Sequence, residues 1–593
     1  MGNITTLYVI DSSADRTSGD KSVLSITEIL DETSDLEYDE FMEKVRTADI
    51  PTDTELSLFD ILWKAIVLPG DEAGSLVELY FIYSCVEREL TEEIETVVCD
   101  IQDKKYLNPI LDAAQRRSVT VTDSDGNVLS SKRHKQKFGT TCRMVLTMGI
   151  IFIDQLIARV FTILGVIGRG KSADAEFVFF PYPGRFKSTK SVINSAQFEY
   201  SIVLPSLLIG RLLFRRRSST HFTQEPQTCT SYASVATTTQ QCRLVLGLVR
   251  EIWDSTRGKN NLNEYLAAEL DADIPHSVDY AWVQAVHTQN RGLLMALSTR
   301  NIYDRLDLQG ALVGGNSSRE RLFLEFARER ELETYYIPHS ITHPVRNLYP
   351  HAPETTMFVE SEFGATYLRR NFAVDRLPTL EPLGRPYFES LLQYQRNEVA
   401  DQEDQLVITL ATQQNHASRA REMFGKSTLK AINNGIAQQE SVQVIIKIHP
   451  DETSELYEQL KTELQLDNID SIKIEDKNLY RILQQSDIVI TVNSNVGVES
   501  MILGTPCVCV VLFEPWIPTY PYAEHDSVPV LTNQADVEAF FADLKSVEIA
   551  EIQREQEAYV SDSYILEDEM GEKIARYIER DCITTSDETS DEL

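Results

Sequence analysis

Strand-like apolar runs alternate with helical segments between residues 405 and 513, and this alternation constrains the fold more than any other feature of the chain. The runs extend from Leu406 to Leu410, Val442 to Ile448, Ile472 to Ile474, Ile488 to Val492 and Pro506 to Leu512. Strands that alternate with helical patterns are typical of βαβ units, whose right-handed crossovers build a parallel sheet with helices on both faces. The sequence therefore predicts a doubly wound α/β domain here.

Polar residues follow three of these runs, where a parallel sheet binds its ligands, beyond the carboxyl ends of the strands. They are Thr412 and Gln413, then His449 and Pro450, then Ser494 and Asn495. The last pair leads into a helical segment from Val496 to Leu503, whose free N–H groups and positive dipole end favour a phosphate. The sequence therefore predicts a phosphate-containing ligand at this edge.

The same stretch resembles the donor-binding half of GT-B glycosyltransferases, especially the sialyl-, polysialyl- and glycerophosphate-type transferases of bacterial and archaeal surface polysaccharides. The matching stretches are Ile446 to Pro450, Ser486 to Ser494, Val498 to Ser500, Gly504 to Pro506 and, upstream, Gly384 to Pro386. The resemblance implies that His449 packs on the nucleotide, that the turn at Ser494 holds its phosphates and that Glu499 binds the ribose hydroxyls. Glu499 follows Ser494 by just over one helical turn, and a carboxylate can accept two hydroxyl donors.

The resemblance also implies an α/β fold of the GT-B type, with two Rossmann-like doubly wound parallel-sheet domains facing a cleft and an insertion-rich N-terminal domain. The predicted ranges are 1–375 for the acceptor-side domain with an acidic insertion, 376–402 for a linker, 403–550 for the donor domain, 551–580 for a helix crossing back onto the first domain and 581–593 for an acidic tail. The strands expected in the first domain are Thr5 to Asp11, Thr96 to Ile101, Val119 to Thr122, Phe177 to Phe180, Ala311 to Gly314, Thr334 to Ile337 and Met357 to Val359.

A catalytic base is expected at the end of a strand of the first domain. Tyr336 to Ser340 resembles the His-Gly turn that these enzymes place in the cleft, with Ser340 where they have glycine. A histidine titrates near neutral pH, so His339 can accept a proton from a sugar hydroxyl, and a structurally hydrogen-bonded histidine is the alternative. Asp11 is the second candidate for the base. The acceptor side is assigned to Tyr182, Arg185 and His343.

The charge composition of the chain limits the kinds of molecule that it is expected to bind. The chain has 91 acidic and 56 basic residues, a formal charge of −35. Nucleic acid is excluded as the main partner, because phosphate-binding surfaces need net positive charge. An acidic surface suits a salt-rich cytoplasm, as in a halophilic archaeon, where ions screen self-repulsion. The start of the chain has the pattern of a strand and not of a secretory signal, so a cytoplasmic protein is predicted.

Two short motifs have alternative interpretations. Gly165 to Ser172 fits the Walker A pattern, but a P-loop needs a strand before it and a helix after it, and the pattern here is the reverse. Asp123 to Gly126 fits the Asp-x-Asp motif of metal-dependent transferases, yet Asp-Gly is also an ordinary turn signal. We expect neither a P-loop nor a metal site, and we predict no cofactor.

Residues 143–168 form an amphipathic helical pattern preceded by a basic cluster at 132–137. A second apolar run, Ile202 to Phe214, ends in Arg215 to Arg217. An apolar helix with a basic flank is typical of binding to an anionic membrane surface, here the inner face of the cell membrane. The alternative is that both segments cover the first sheet.

These patterns predict a glycosyltransferase that moves a sugar from a CMP-, CDP- or UDP-linked donor to a surface glycan or a lipid-linked acceptor. A nucleotide-sugar 2-epimerase of the same architecture is an alternative, although it normally has a Gly-Gly turn and paired glutamates where this chain has Asn493 to Asn495 and Glu499. A non-catalytic GT-B scaffold in glycan assembly is the third reading.

Overall fold

A computed structural model gives the fold of the chain. The structure describes residues 6–10, 22–25, 76–91, 93–101, 106–130, 134–163, 175–181, 188–204, 227–228, 239, 241–243, 245–246, 249, 257–284, 286–287, 302–303, 306–315, 318–342, 354–371, 377–395, 405–412, 418–438, 441–449, 452, 454–464, 466–475, 479–492, 494–512, 521–544 and 546–583.

The strands run along the chain in two groups separated by long helices. They are β1 (Thr6–Ile10), β2 (Ser22–Ser25), β3 (Thr96–Asp100), β4 (Thr120–Thr122), β5 (Phe177–Pro181), β6 (Tyr200–Leu204), β7 (Gln227–Thr228), β8 (Gly310–Gly314), β9 (Glu333–Tyr336), β10 (Thr355–Val359), β11 (Thr379–Pro382), β12 (Leu406–Ala411), β13 (Val442–Lys447), β14 (Ser471–Glu475), β15 (Ile488–Thr491), β16 (Cys507–Val510) and β17 (Val530–Leu531).

Helices connect most of these strands. They are α1 (Leu76–Glu89), α2 (Leu107–Arg116), α3 (His134–Ile163), α4 (Lys190–Ser195), α5 (Arg257–Leu270), α6 (Ser318–Arg328), α7 (Glu362–Asn371), α8 (Phe388–Gln395), α9 (Ser418–Gly435), α10 (Glu455–Glu463), α11 (Leu479–Gln484), α12 (Asn495–Ile502), α13 (Gln534–Asp543), α14 (Ser546–Ser563) and α15 (Met570–Ile578). A π-helical turn, Glu579–Ile583, follows α15.

The chain divides into two compact units. Unit one comprises residues 1–169, 205–213 and 228–304, and unit two comprises residues 170–204, 214–227 and 305–593. These two units do not follow the domain ranges predicted from the sequence, because each unit is assembled from several separate stretches of the chain.

Unit one contains a four-stranded parallel sheet in the order β2-β1-β3-β4. Buried and half-buried residues alternate along β1 and β3, so one face of the sheet is covered. The sequence pattern predicts β1, β3 and β4 in the same domain as β5, β8, β9 and β10, but in the structure they form a separate sheet. An apolar run predicts that a strand exists, whereas its partners depend on crossovers that the run does not encode.

One long helix of unit one deserves separate mention. By length and composition, Lys137–Ile157 within α3 is long and apolar enough to cross a membrane, and 33% of it is buried. It is the sole helical stretch of that kind among the described residues. The second segment expected to bind a membrane differs from the prediction, because Ile202 lies in β6 of unit two, while residues 205–226 lie outside the described residues.

Unit two contains two sheets of the Rossmann type. The seven-stranded sheet has the order β11-β10-β9-β8-β5-β6-β7, and the six-stranded sheet has the order β14-β13-β12-β15-β16-β17. All strand pairs of the six-stranded sheet are parallel. In the seven-stranded sheet the pairs β6–β5, β5–β8, β8–β9, β9–β10 and β10–β11 are also parallel. In each sheet the chain starts at a central strand, winds to one edge and returns to wind to the other. The predicted α/β fold with two doubly wound parallel sheets is confirmed.

The five strands predicted between residues 405 and 513 are all present as β12 to β16. Cys507 and Cys509 are fully buried in β16, where they pack as small apolar side chains. Residues 376–402, expected to be a linker, contain β11 and α8. The prediction was wrong there because three prolines in nine residues, Pro378, Pro382 and Pro386, indicate an irregular segment. Proline is nevertheless accepted at the edge of a sheet, where β11 lies.

The structure describes one of the two short motifs, Asp123 to Gly126, but not the other, Gly165 to Ser172. Asp123 Oδ1 accepts hydrogen bonds from the N–H groups of Asp125 (3.1 Å) and Asn127 (2.8 Å), and Gly126 has a φ of +83°, so the turn is confirmed. Gly165 to Ser172 lie outside the described residues. On either side of them, α3 ends at Ile163 and β5 begins at Phe177, which is not the context of a P-loop.

Candidate functional site

The polar residues predicted to bind a donor follow adjacent strands of the six-stranded sheet. Thr412 follows the central strand β12, and His449 follows its neighbour β13. Ser494 follows β15, which pairs with β12 on the other side. The chain reverses its direction of winding between β12 and β15, so these residues surround the switch point where open α/β sheets bind their ligands.

Thr412 and His449 belong to one hydrogen-bonded cluster with Glu452. The His449 N–H group lies 3.0 Å from Thr412 Oγ1 and 3.2 Å from Glu452 Oε2. The Thr412 hydroxyl also donates to this carboxylate, and the Tyr457 hydroxyl lies 3.4 Å from it. Buried polar groups need such partners. The cluster fixes the backbone N–H group of His449, and the Thr412 hydroxyl is engaged in it.

Ser494 caps helix α12. Its side-chain oxygen accepts a hydrogen bond from Val496 N–H at 3.3 Å, and its own backbone is held by the buried Tyr522, whose hydroxyl donates to Ser494 O at 2.8 Å. Gly497 allows this approach, since a Cβ atom there would lie 2.6 Å from the Tyr522 hydroxyl. Gly497 N–H donates to Ser494 O at 3.0 Å, and the positive end of the helix dipole at this turn favours an anion. Helix α12 ends as predicted, because Gly504 follows it with a φ of +85°.

Glu499 lies on α12 with a relative exposure of 9%. Two buried tyrosines are close to its carboxylate. Burial raises the pKa of Tyr387 and of Tyr480, and the negative charge of Glu499 raises both further. A carboxylate in such surroundings is stable only where donors reach it, and neutral hydroxyls serve as well as cations.

The loop 338–342, which carries His339, is held at both ends by a buried ion pair. Arg385 is fully buried and lies 2.8 Å from Glu360 Oε2. Arg385 Nη1–H donates to Pro338 O at 2.8 Å, and Glu360 Oε1 accepts from Thr342 N–H at 2.8 Å. A buried pair with its remaining hydrogen bonds satisfied fixes geometry strongly, and removal of one partner is costly. His339 itself is half-buried.

Asn495 joins this loop to helix α12. Its Oδ1 accepts a hydrogen bond from Ile341 N–H at 3.2 Å. The loop follows β9 of the seven-stranded sheet, and α12 follows β15 of the six-stranded sheet, both within unit two. The predicted base and the predicted phosphate-binding turn are therefore connected through one hydrogen bond.

Other predicted site residues lie outside the described residues. These are Asp11, Gln413, Pro450, Tyr182, Arg185 and His343. The strand β1 that leads to Asp11 belongs to the four-stranded sheet of unit one and not to the sheet that carries His339. In the part of the chain that the structure describes, no group of three or more His, Cys, Asp or Glu side chains is placed to hold a metal ion.

Sequence reasoning missed the residues that support the site. Glu452 and Glu360 are acidic residues in loops of an acidic protein, so nothing distinguishes them from solvated surface charges. Tyr522 lies twelve residues beyond the end of β16, in the short helix Pro521–Glu524, and belongs to no motif. Arg385 was part of the Gly-Arg-Pro match, and its position between a glycine and a proline after a strand was the one available signal.

Part of the chain matches a known protein family. Residues 389–516 match the family model described as capsule polysaccharide biosynthesis protein. The match includes α8, the strands β12 to β16 and helix α12. The resemblance to surface-polysaccharide proteins inferred from the motifs is confirmed for this stretch. No curated protein sequence matches the chain.

Several solved structures share a partial likeness. A UDP-GlcNAc 2-epimerase from Neisseria meningitidis bound to UDP-GlcNAc is 12% identical, with a TM-score of 0.41, and 68% of this chain and 99% of that chain are covered. A Methanocaldococcus jannaschii UDP-GlcNAc 2-epimerase in complex with UDP-GlcNAc and UDP is 13% identical, with a TM-score of 0.38 and coverage of 68% and 98%. A wall teichoic acid polymerase soaked with CDPG is 11% identical, with a TM-score of 0.37 and coverage of 76% and 99%. At these scores the likeness assigns no activity to this chain.

Proposed function

We propose that the protein is a glycosyltransferase of surface-polysaccharide synthesis that uses a nucleotide-activated sugar. One observation carries the proposal. The polar residues Thr412, His449 and Ser494 surround the switch point of a Rossmann-type sheet, inside the stretch that matches capsule polysaccharide biosynthesis proteins. A CMP-, CDP- or UDP-linked sugar is the donor that we expect, and a glycan or a lipid-linked glycan is the acceptor.

The roles of the residues follow from their chemistry. The N-terminus of α12 with Ser494 holds the donor phosphates, and the His449 turn lies against the nucleotide. Glu499 accepts hydrogen bonds from the ribose hydroxyls. An acceptor hydroxyl attacks the anomeric carbon while His339 takes its proton. The nucleotide departs with the bonding electrons, and the developing charge on its phosphate is stabilised by the N–H groups of α12.

A thermal-shift panel of CMP, CDP, UDP, GDP and dTDP tests the donor site. A nucleotide at about 100 times its dissociation constant adds about 2.7 kcal/mol to the free energy of unfolding, which is a shift of a few degrees. Glu499→Ala should abolish most of the shift, and Glu458→Ala, an exposed glutamate of α10, should leave it unchanged. Absence of a shift with every nucleotide would contradict the proposal.

An activity assay separates transfer from the other readings. The nucleotide sugar that corresponds to the best nucleotide is incubated with and without oligosaccharide or lipid-linked acceptors. A transferase consumes it at a substantial rate when the acceptor is present and releases the free nucleotide. Conversion to an epimer with no acceptor would overturn the proposal in favour of an epimerase, and binding without turnover under any condition would favour the scaffold.

A further inference from the structure

Helix α3 of unit one exposes large apolar side chains on one side and buries polar side chains, together with Met144, Met148 and Ile151, on the other. Seven large apolar residues of this helix are between 42% and 66% exposed. They are Phe138, Val145, Leu146, Ile150, Phe152, Ile153 and Leu156. Thr140, Asp154 and Gln155 are buried on the other side. A helix that covers the core of a soluble protein normally exposes polar side chains, so the exposed apolar side of α3 is unusual.

The inward orientation of the polar side is fixed by specific contacts within unit one. Gln155 Nε2–H donates to Gln241 Oε1 at 2.9 Å, and both groups are buried. Thr140 Oγ1 lies 3.2 Å from His287 Nδ1. Rotation of the helix to bury its apolar side would break these hydrogen bonds and leave polar groups unsatisfied, at about 1 to 3 kcal/mol each. These hydrogen bonds therefore fix the orientation in which the apolar side of α3 faces outward.

The exposed residues form one continuous surface, which we name the α3 face. At about 100° per residue the seven side chains cover roughly half of the helix circumference. Gly139, Cys142 and Gly149 lie among them, and Arg143 lies at one edge. No acidic residue interrupts the α3 face. An apolar surface of this extent marks an interaction site.

The charge around the α3 face is opposite to that of the chain as a whole. Residues 126–173 contain eight lysines and arginines and one acidic residue, Asp154, which is buried, whereas the whole chain has a charge of −35. Three of the eight, Lys132, Arg133 and Lys135, are clustered in sequence at the start of the helix. The nearby Lys137 forms an ion pair with Asp279 at 3.0 Å. Basic groups beside an apolar helix face complement a lipid surface that has anionic headgroups over acyl chains.

We propose that α3 attaches the protein to an anionic lipid bilayer, with the helix axis in the plane of the membrane surface. The apolar residues of the α3 face enter the boundary between headgroups and acyl chains, and the basic residues contact the phosphates. The helix does not span the bilayer in this arrangement, because its Thr140, Asp154 and Gln155 side is packed against other parts of unit one. The donor site of unit two plays no part in this inference.

A second copy of the chain is a poorer occupant of the α3 face. Two copies that met through this helix would bring two strongly basic segments together, and like charges oppose such a contact. A bilayer rich in phosphatidylglycerol offers the opposite charge. The two occupants predict different behaviour in solution, so the experiment below distinguishes them.

Co-sedimentation of the full-length protein with lipid vesicles tests the proposal. The vesicles contain equal parts of phosphatidylcholine and phosphatidylglycerol, or phosphatidylcholine alone, over a series of salt concentrations. The apolar variant combines Leu146→Ser, Ile153→Ser and Leu156→Ser, and its matched control combines Val128→Ser and Val530→Ser, which are exposed elsewhere. The basic variant combines Lys132→Gln, Arg133→Gln and Lys135→Gln. Its matched control replaces the exposed Arg370, Lys430 and Arg481 with Gln.

We expect the wild type and both controls to bind the anionic vesicles and to bind the neutral vesicles less. The apolar variant should lose about a hundredfold or more in partition coefficient at every salt concentration. The basic variant should lose about a hundredfold at low salt, and this loss should fade toward molar salt, where the Debye length is about 3 Å. Unfolding followed by circular dichroism should be as cooperative in the variants as in the wild type.

Three results would overturn the proposal. The first is failure of the wild type to bind anionic vesicles. The second is loss of cooperative unfolding in the apolar variant, which would make α3 a packed helix. The third is a wild-type dimer by light scattering that the apolar variant converts to a monomer, since a second copy would then cover the α3 face.

Discussion

Glu499 is a buried carboxylate on α12, and its negative charge acts on the buried Tyr387 and Tyr480. A carboxylate accepts hydrogen bonds from hydroxyl groups. A ribose offers two hydroxyl donors. We expect Glu499→Gln to keep the shape of the site and to weaken nucleotide binding by about 1 to 3 kcal/mol, because a charge-assisted hydrogen bond becomes a neutral one. Calorimetric titration with the nucleotide selected in the thermal-shift panel measures this.

A control accompanies the Glu499 variant. Glu458→Gln on α10 is the matched control. If Glu499→Gln binds every nucleotide as well as the wild type does, Glu499 is a structural residue of α12.

The proposed role of His339 as the general base can be tested directly by substitution. We expect His339→Ala to lower turnover by about 100- to 10,000-fold and to leave donor affinity nearly unchanged, because a general base acts mainly in the transition state. Steady-state kinetics with donor and acceptor varied separately measure both quantities. Near-normal turnover would leave His339 as a hydrogen-bonded loop residue and would pass the role of base to Asp11 or to another carboxylate.

At the scale of elements, the loop 338–342 and helix α12 form one assembly. The loop ends are fixed by the Glu360–Arg385 pair, and Ile341 N–H is fixed by Asn495 of α12. Gly384 has a φ of +88°, a conformation that glycine adopts readily, and this turn places Arg385 under the loop. Two elements that follow strands of different sheets are thereby held in register. Movement of either one displaces His339 relative to the phosphate-binding turn.

Asn495→Ala tests that assembly. It removes the acceptor for Ile341 N–H, so we expect a loss of about 1 kcal/mol in the free energy of unfolding. Turnover should fall more than donor affinity, because a small displacement of a catalytic group strongly slows the chemical step. Asn434→Ala, which removes a surface hydrogen bond to Glu538 in the same unit, is the matched control and should leave turnover unchanged. A turnover in Asn495→Ala equal to that of the control would exclude a positioning role.

At the scale of the whole molecule, the sequence predicted individual strands better than it predicted which strands share a sheet. The buried strands β12 to β16 were predicted within a few residues, because continuous apolar runs between turn residues have few other uses. The strands β2, β6, β7, β11 and β17 were not predicted. Four of them are only two to four residues long, and β6 overlaps the apolar run from Ile202 that was interpreted as a helix. The positions of Thr412, His449 and Ser494 followed from their places after strands. Glu452, Glu360 and Tyr522 did not, because their roles depend on contacts between residues distant in sequence.

Helix α15 connects the two sheets of unit two. Its first residue, Met570, is buried in the cluster that contains Val498 of α12 and Ala411 of β12. Ile574 and Ile578, further along the helix, are buried in the cluster formed by the seven-stranded sheet. One short helix thus contributes to both cores, so the stability of each sheet should depend on the packing of α15.

Ile578→Ala tests this coupling. A buried isoleucine truncated to alanine leaves a cavity, and we expect a loss of about 2 to 5 kcal/mol in the free energy of unfolding. Hydrogen exchange should show reduced protection in β5 and, by a similar amount, in β12, although Ile578 lies in the cluster of the seven-stranded sheet only. Arg576→Ala, at an exposed position of the same helix, should change the stability by no more than about 0.5 kcal/mol. If protection falls in β5 alone, the two sheets unfold independently and α15 belongs to the seven-stranded sheet.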